Sequence, residues 1–278
     1  MGISFFGKRA FRGKVHMMRV SSIIRIDQIA EYLGAKINPT EGYENDVCIY
    51  EKPHVKKFED MKFEGHPYLD INDGHNLGHL ALKHPEVPVI TISKYDQEIM
   101  SNIYDERGQK IKSKVLFIPQ HHCNFERFVR NRDKIKVVGY LGGYTDLLYF
   151  PQPLLGELAR RNMNFVFNTT FNTREEVVNF YNTIDIQITW RPYKMILRNP
   201  LKLVNAASFG IPTIALDEKN FQMELEGCYR PVKDFNEFLV ALDELRNPPT
   251  YAEYSQKCLE KAEGYHIENV AKLYRALT

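Results

Sequence analysis

The chain has 278 residues, with 37 Lys and Arg against 35 Asp and Glu and a net charge of only +2. That length holds one large or two modest domains, and the near-neutral balance argues against a protein that binds nucleic acid along its whole surface. With 44% hydrophobic and 26% charged residues, the composition is ordinary for a soluble globular protein. No apolar run approaches the roughly 20 residues that span a bilayer. Ile3 to Phe6 is too short for the apolar core of a secretory signal. Cys48, Cys123, Cys228 and Cys258 are scattered, without a C-x-x-C pair or a disulfide framework, so a reducing, cytoplasmic setting is expected.

Strand and helix patterns alternate from the start. Ile3 to Phe6 reads as a first strand. Val20 to Leu33 reads as a helix, with Ile23, Ile26, Ile29, Ala30 and Leu33 on one side and Gly34 as its stop. Strands follow at Asp46 to Tyr50, Pro67 to Asp73 and Val87 to Ile92. Ser93 and Asp96 open a helix in a capping-box pattern, and Lys114 to Pro119 is a fifth strand ending at Gln120-His-His-Cys123. The charged segment Arg127 to Lys136 separates this half from the next.

The alternation then restarts. Lys136 to Gly143 is a strand running into a glycine turn, Pro153 to Asn162 a helix and Asn164 to Asn168 a strand. Thr173-Arg-Glu-Glu176 caps the helix that carries Val177, Val178, Phe180 and Tyr181, and Ile184 to Thr189 is the next strand. Asn199 to Ala215 is the most informative stretch. Pro200 suits a first helical turn, Leu203, Ala206 and Ala207 form an apolar face, Gly210 is a left-handed stop, and Ile211 to Leu216 is a buried strand. Asp234 caps a further amphipathic helix, and Tyr251 to Leu277 reads as helical.

Two such sets call for an α/β fold of two Rossmann-like domains, residues 1–134 and 135–278, the first compact, with the last helix able to cross back to it. Ligands in these folds sit at the carboxyl ends of strands. That rule gathers Asp73, His75, His121, Gly142, Gly143 and Arg191 on functional rims, beside the helix of Lys202. Arg191, Lys194, Arg198 and Lys202 collect near that helix's N-terminus, where free N–H groups also favour an anion, and a diphosphate is the obvious candidate. Asp73 and His75 offer a carboxylate and an imidazole to orient or deprotonate a substrate hydroxyl, as catalytic groups. His121, His122 and Cys123 have no further ligand at a metal-site spacing, so no metal is expected. Asn205 faces either a ligand or a buried amide network.

The second half resembles the donor domain of GT-B glycosyltransferases, closest to the retaining, family-4-like branch. Pro200-x-Lys202-x-x-Asn205-Ala-x-x-x-Gly210-x-Pro212-x-Ile214-Ala215 matches that family's P-x-K-x-x-E-A-x-x-x-G-x-P-x-I-A. Val137 to Gly143 matches its first strand and glycine loop. The resemblance runs from about Val137 to Leu277 and extends more weakly to Asp46 to Lys52 and Tyr68 to Asp73. It implies two domains facing a central cleft and transfer of a sugar from a nucleotide diphosphate, UDP first, to an acceptor hydroxyl with retention.

Gly142, Gly143, Arg191, Lys194, Arg198, Lys202, Asn205 and His121 would bind the donor, without a metal or other cofactor. The acceptor would be a glycan or a lipid-linked sugar. The basic segment Lys8 to Lys14 adds a base in duplex DNA as a variant. Two departures stand out: Asn205 replaces the family's ribose-holding glutamate, and Leu197 falls where the upstream glutamate would be. They motivate an alternative, a non-catalytic nucleotide-sugar binder of the same fold.

Overall fold

The computed structural model describes residues 1–7, 20–53, 60–74, 77–103, 108, 110–132, 134–192 and 199–278. Of the residues singled out above, His75, Lys194, Leu197, Arg198 and the segment Lys8 to Lys14 lie outside them. Two compact units divide the chain. The first comprises Met1–Gln120, Ile196–Asn199 and Ile267–Thr278, and the second His121–Met195 and Pro200–His266.

The first unit is a parallel sheet of β1 (Ile3–Phe6), β2 (Lys36–Ile37), β3 (Val47–Glu51), β4 (His66–Asn72), β5 (Val89–Thr91) and β6 (Val115–Phe117), in the order β2-β1-β3-β4-β5-β6. Every residue of β3 is buried, as expected of a central parallel strand covered on both faces. The helix read at 20–33 is not uniform. An α-helical turn, α1 (Val20–Ser22), passes into a π-helical stretch, Ile23–Gln28, and then α2 (Ile29–Leu33), which stops at Gly34 with φ of 67°. The wider π turn brings Arg25 and Ile26 inward together, and only the second would be placed there by apolar periodicity. The helices α3 (Gly78–Lys83) and α4 (Lys94–Ser101) complete this stretch, with Ser93 Oγ accepting from Asp96 N at 2.9 Å.

The second unit is a parallel sheet of β7 (Val137–Leu141), β8 (Asn164–Asn168), β9 (Ile186–Thr189), β10 (Thr213–Leu216) and β11 (Tyr229–Val232), in the order β11-β10-β9-β7-β8. In this doubly wound order the chain reverses direction across the sheet between β7 and β9, the usual place for a ligand. Helices α5 (Tyr144–Leu147), α6 (Leu154–Arg160), α7 (Arg174–Thr183), α8 (Leu201–Ser208) and α9 (Lys219–Leu225) join the strands, and α10 (Phe235–Leu245) and α11 (Pro248–Glu263) follow the last of them. On one face Val138, Tyr140, Ile186 and Ile188 pack against Leu154, Leu158, Phe238 and Leu242. Elsewhere in the core Leu203, Val204 and Ala207 of α8 pack with Phe221, Cys258 and Ala262.

Local rules explain the boundaries. Thr173 and Glu176 form the reciprocal capping box of α7. The end of α8 is a Schellman arrangement: Ile211 N donates to Ala206 O and Gly210 N to Ala207 O, with Gly210 at φ of 66°. The long C-terminal helix read at Tyr251 to Leu277 is instead two, α11 and α12 (Ile267–Arg275). They break at a turn where Tyr265 N and His266 N bond back to Ala262 O and Glu263 O.

Candidate active site

At the carboxyl end of β7, the β7/β9 reversal gathers side chains from several segments of the second unit. Lys202, in the first turn of α8, donates from Nζ to Asp146 Oδ2 at 2.8 Å and to the Tyr140 hydroxyl at 3.0 Å. The ammonium also lies 4.7 Å from the centre of the Tyr140 ring, within cation–π range. The Tyr140 hydroxyl is itself 2.8 Å from Asp146 Oδ2 and 3.1 Å from Gly143 O. Gly142 makes room for this cluster, because a Cβ there would lie 2.4 Å from Lys202 Nζ and 2.5 Å from the Tyr140 oxygen. A side chain at this position would have to displace the Lys202 ammonium and the Tyr140 hydroxyl.

Lys202 is anchored from below, where Gln187 Nε2 donates to its backbone carbonyl at 2.8 Å. Gln187 therefore faces α8, and Thr189, two residues on, shares that face closer to the rim. Thr189 is 1% exposed, and its hydroxyl has no hydrogen-bond partner among the described residues. Arg191 Nε is likewise buried without a partner among them. Burial, and then the nearby Arg191 charge, hold the Lys202 ammonium below its ordinary pKa, with Asp146 opposing both. Two cations kept close, one with an open donor, form a site that an anion stabilises.

The remaining donor-side candidates have other surroundings. Asn205 is 7% exposed, and its side-chain oxygen accepts from Cys123 N at 2.9 Å, so it fastens the 121–124 segment to α8. His121 is 2% exposed, with Nδ1 3.1 Å from His122 O and its ring against Phe125. His122 packs edge-on to His266 and accepts from Asn124 N at 3.2 Å. Burial, reinforced by His266 and His121, pushes the His122 pKa down to about 3. Burial also pushes the Cys123 thiol up to about 12, so it is not a ready thiolate ligand.

The sign of the His122 shift gives a prediction. The unfolded chain takes up a proton near pH 6.5 and the folded chain only near pH 3, so stability falls as pH drops through that window. One proton corresponds to about 1.4 kcal/mol per pH unit, or about 2 kcal/mol between pH 6.5 and 5. His122→Asn is expected to flatten the pH dependence of denaturant-derived stability in that range, and an unchanged slope would refute the burial effect.

In the first unit, Lys52 Nζ pairs with Asp73 Oδ1 at 2.5 Å, at the carboxyl ends of β3 and β4, and both side chains are partly exposed. Such a pair contributes at most ~1 kcal/mol, so its interest is chemical. Two non-glycine residues beside it have left-handed backbones, Lys52 with φ of 41° and Asn72 with φ of 49°. A buried polar cluster holds them. Asn72 Nδ2 donates to Glu51 Oε1 and Asn72 N to Asp70 Oδ1, both at 3.0 Å, while Arg25 Nε donates to Asp70 Oδ2 at 2.6 Å. Strain sustained by a surrounding network is typical of positioned functional groups.

The sequence reading did not single out Tyr140, Asp146, Thr189 or Arg25. Among the described residues, no group of three His, Cys, Asp or Glu side chains is arranged to hold a metal ion, and no helix is long and apolar enough to cross a membrane.

No protein-family model and no curated protein matches the sequence. Solved structures do match. A glycosyltransferase from Rickettsia africae superposes with a TM-score of 0.62 at 8% identity, covering 99% of this chain and 97% of that one. Anabaena HepE, in complex with UDP and glucose, gives a TM-score of 0.60 at 10% identity, covering 99% and 98%. AviGT4, a glycosyltransferase involved in avilamycin A biosynthesis, gives 0.54 at 13% identity, covering 100% and 97%. The fold is GT-B. The GT-B resemblance read from Pro200 to Ala215 thus holds at the level of fold. The Lys202 cluster lies on the second unit and the Lys52–Asp73 pair on the first.

Proposed function

We propose that this GT-B chain is a glycosyltransferase that binds a UDP-linked sugar at the β7/β9 rim and transfers the sugar to an acceptor hydroxyl. The observation that supports this most is the Lys202–Tyr140–Asp146 cluster pressed against Gly142, with the open donor of Arg191 nearby. Lys202 and Arg191 would meet the diphosphate, and Gly142 and Gly143 would let it approach the backbone. Lys194 and Arg198, outside the described residues, would add charge from the approach to α8. These cations would stabilise the leaving diphosphate in place of a metal ion.

Asp73, poised by Lys52, is the proposed acceptor-side group, with His75 beside it in sequence. A glycan or lipid-linked sugar is the proposed acceptor, and retention follows from the family resemblance. The duplex-DNA variant rests on Lys8 to Lys14, outside the described residues.

Asn205 favours a second reading, a binder without turnover. Its amide oxygen, where the resembling family places a ribose-holding carboxylate, is taken by Cys123 N. Calorimetry with UDP, GDP and ADP, followed by assays of sugar release from the matching donor, tests both readings. UDP binding with even slow donor hydrolysis is the expected result. Binding without turnover would select the second reading, and a folded sample that ignores all three nucleotides would overturn both.

A further inference from the structure

We infer that the second unit carries another anion site, one for a phosphate group, at the end of its sheet opposite the β7/β9 rim. A groove of about 990 Å³ opens there, at the amino ends of β7 and β8 and over the junction of α10 with α11. Its lining includes six cationic side chains, Arg130, Arg132, Lys134, Lys136, Arg161 and Arg246, and one carboxylate among the described residues, Asp243. Asp133, between two of these in sequence, lies outside the described residues.

Much of this charge is already compensated. Arg161 donates to Asp243 through Nε at 2.8 Å and Nη2 at 3.0 Å, and Arg246 Nη1 reaches the same carboxylate at 3.3 Å. Arg130 pairs with Asp185. Arg132 shares that carboxylate at longer range, and two lysines remain. Among the described residues the Lys134 and Lys136 ammonium groups have no carboxylate partner, and both side chains are exposed.

Arg132 is the informative one. Its side chain is only 3% exposed, and it shares the Asp185 carboxylate with Arg130 as a longer ion pair of 3.8 Å, outside hydrogen-bond range. Nη1 donates to Arg130 O at 2.9 Å and Phe209 O at 3.0 Å, and Nε to Ile184 O at 3.3 Å. Nη2 is buried with no partner among the described residues. A guanidinium fixed by three neutral carbonyls keeps its full charge and one open N–H, which suits a phosphate oxygen. Burial, with Arg130 nearby, holds its pKa below the ordinary arginine value, while Tyr251 and Asp185 oppose that shift.

The start of α11 adds no backbone donor. Pro248 and Pro249 have no N–H, and Thr250 N is capped by Asn247 Oδ1 at 3.2 Å, so the site is built from side chains. Phe128 and Val129, 50% and 47% exposed, flank the basic segment. A soluble phosphate ester and the headgroup of an anionic lipid present the same chemistry to such a site, and the test separates them.

The full chain is titrated with inorganic pyrophosphate in the presence of saturating UDP, which keeps the opposite rim from taking up the probe, and, separately, sedimented with vesicles of phosphatidylglycerol and phosphatidylcholine against phosphatidylcholine alone. The principal variant is Lys134→Glu/Lys136→Glu, because Arg132 also secures backbone. Lys233→Glu/Lys272→Glu is a charge-matched control and Lys202→Ala reports on the opposite rim. The expected result is binding at least tenfold weaker in Lys134→Glu/Lys136→Glu, at an unchanged unfolding midpoint, and retained in the other two. Pyrophosphate binding alone identifies a soluble phosphate ligand, and binding to anionic vesicles identifies a lipid headgroup. Wild-type protein that binds neither probe, binding indifferent to Lys134→Glu/Lys136→Glu, or binding lost equally in the control overturns the site.

Discussion

Lys202→Ala is expected to weaken UDP binding by about 2–3 kcal/mol, roughly 30- to 150-fold, the usual loss of a charge-assisted hydrogen bond in a partly buried site. The ammonium is fixed by Asp146 and Tyr140 before any ligand arrives, so little ordering remains to offset the gain on binding. Its removal also leaves the Asp146 carboxylate, without its counter-ion, facing the incoming diphosphate. A double-variant cycle separates the two effects. Lys202→Ala/Asp146→Asn should bind UDP more tightly than Lys202→Ala alone, because the repulsive charge is gone, yet more weakly than wild type. If Lys202 only braced Tyr140 and Asp146, the alanine variant would lower the unfolding midpoint and leave calorimetric affinity for UDP untouched. That pattern would remove Lys202 from the donor site.

What could be read in the sequence follows the range of the interactions involved. The caps at Thr173 and Asp234, the stop at Gly210 and the strand after Pro212 are local, set by residues within one turn, and they stand where the sequence puts them. The partners of Lys202 are not local. Asp146 and Tyr140 lie 56 and 62 residues away, and nothing near them in sequence signals that the β7/β9 reversal will bring them to α8. Arg25 was hidden for a different reason. A 3.6-residue period leaves it off the apolar face, and only the π-helical register turns it inward. His121 and Asn205 show that polar residues at a strand end or on a motif helix also take backbone partners that the sequence does not announce.

Asp70→Ala is expected to destabilise the protein by about 3–5 kcal/mol, a large share of an ordinary domain's stability. Arg25 is 2% exposed and Asp70 fully buried, and their contact is 2.6 Å. Arg25 Nη1 is used on Ile118 O at 3.0 Å and Nη2 has no partner among the described residues, so loss of Asp70 strands a buried cation. Burial raises the Asp70 carboxyl above its ordinary range even with Arg25 alongside, and taking two charges out of water is costly even for a well-made pair. Replacing both partners by apolar residues of similar size, Arg25→Met/Asp70→Leu, should therefore recover most of the loss. Urea unfolding of wild type, each single variant and the double variant measures the coupling directly. The double variant also separates stability from positioning, because Asp70 Oδ1 holds Asn72 N beside the left-handed turn that leads to Asp73. With that bond gone, a stable double variant should still bind UDP on the other unit while losing transfer to its acceptor. Stability restored together with full transfer would mean that the cluster supports the fold and leaves Asp73 where it was.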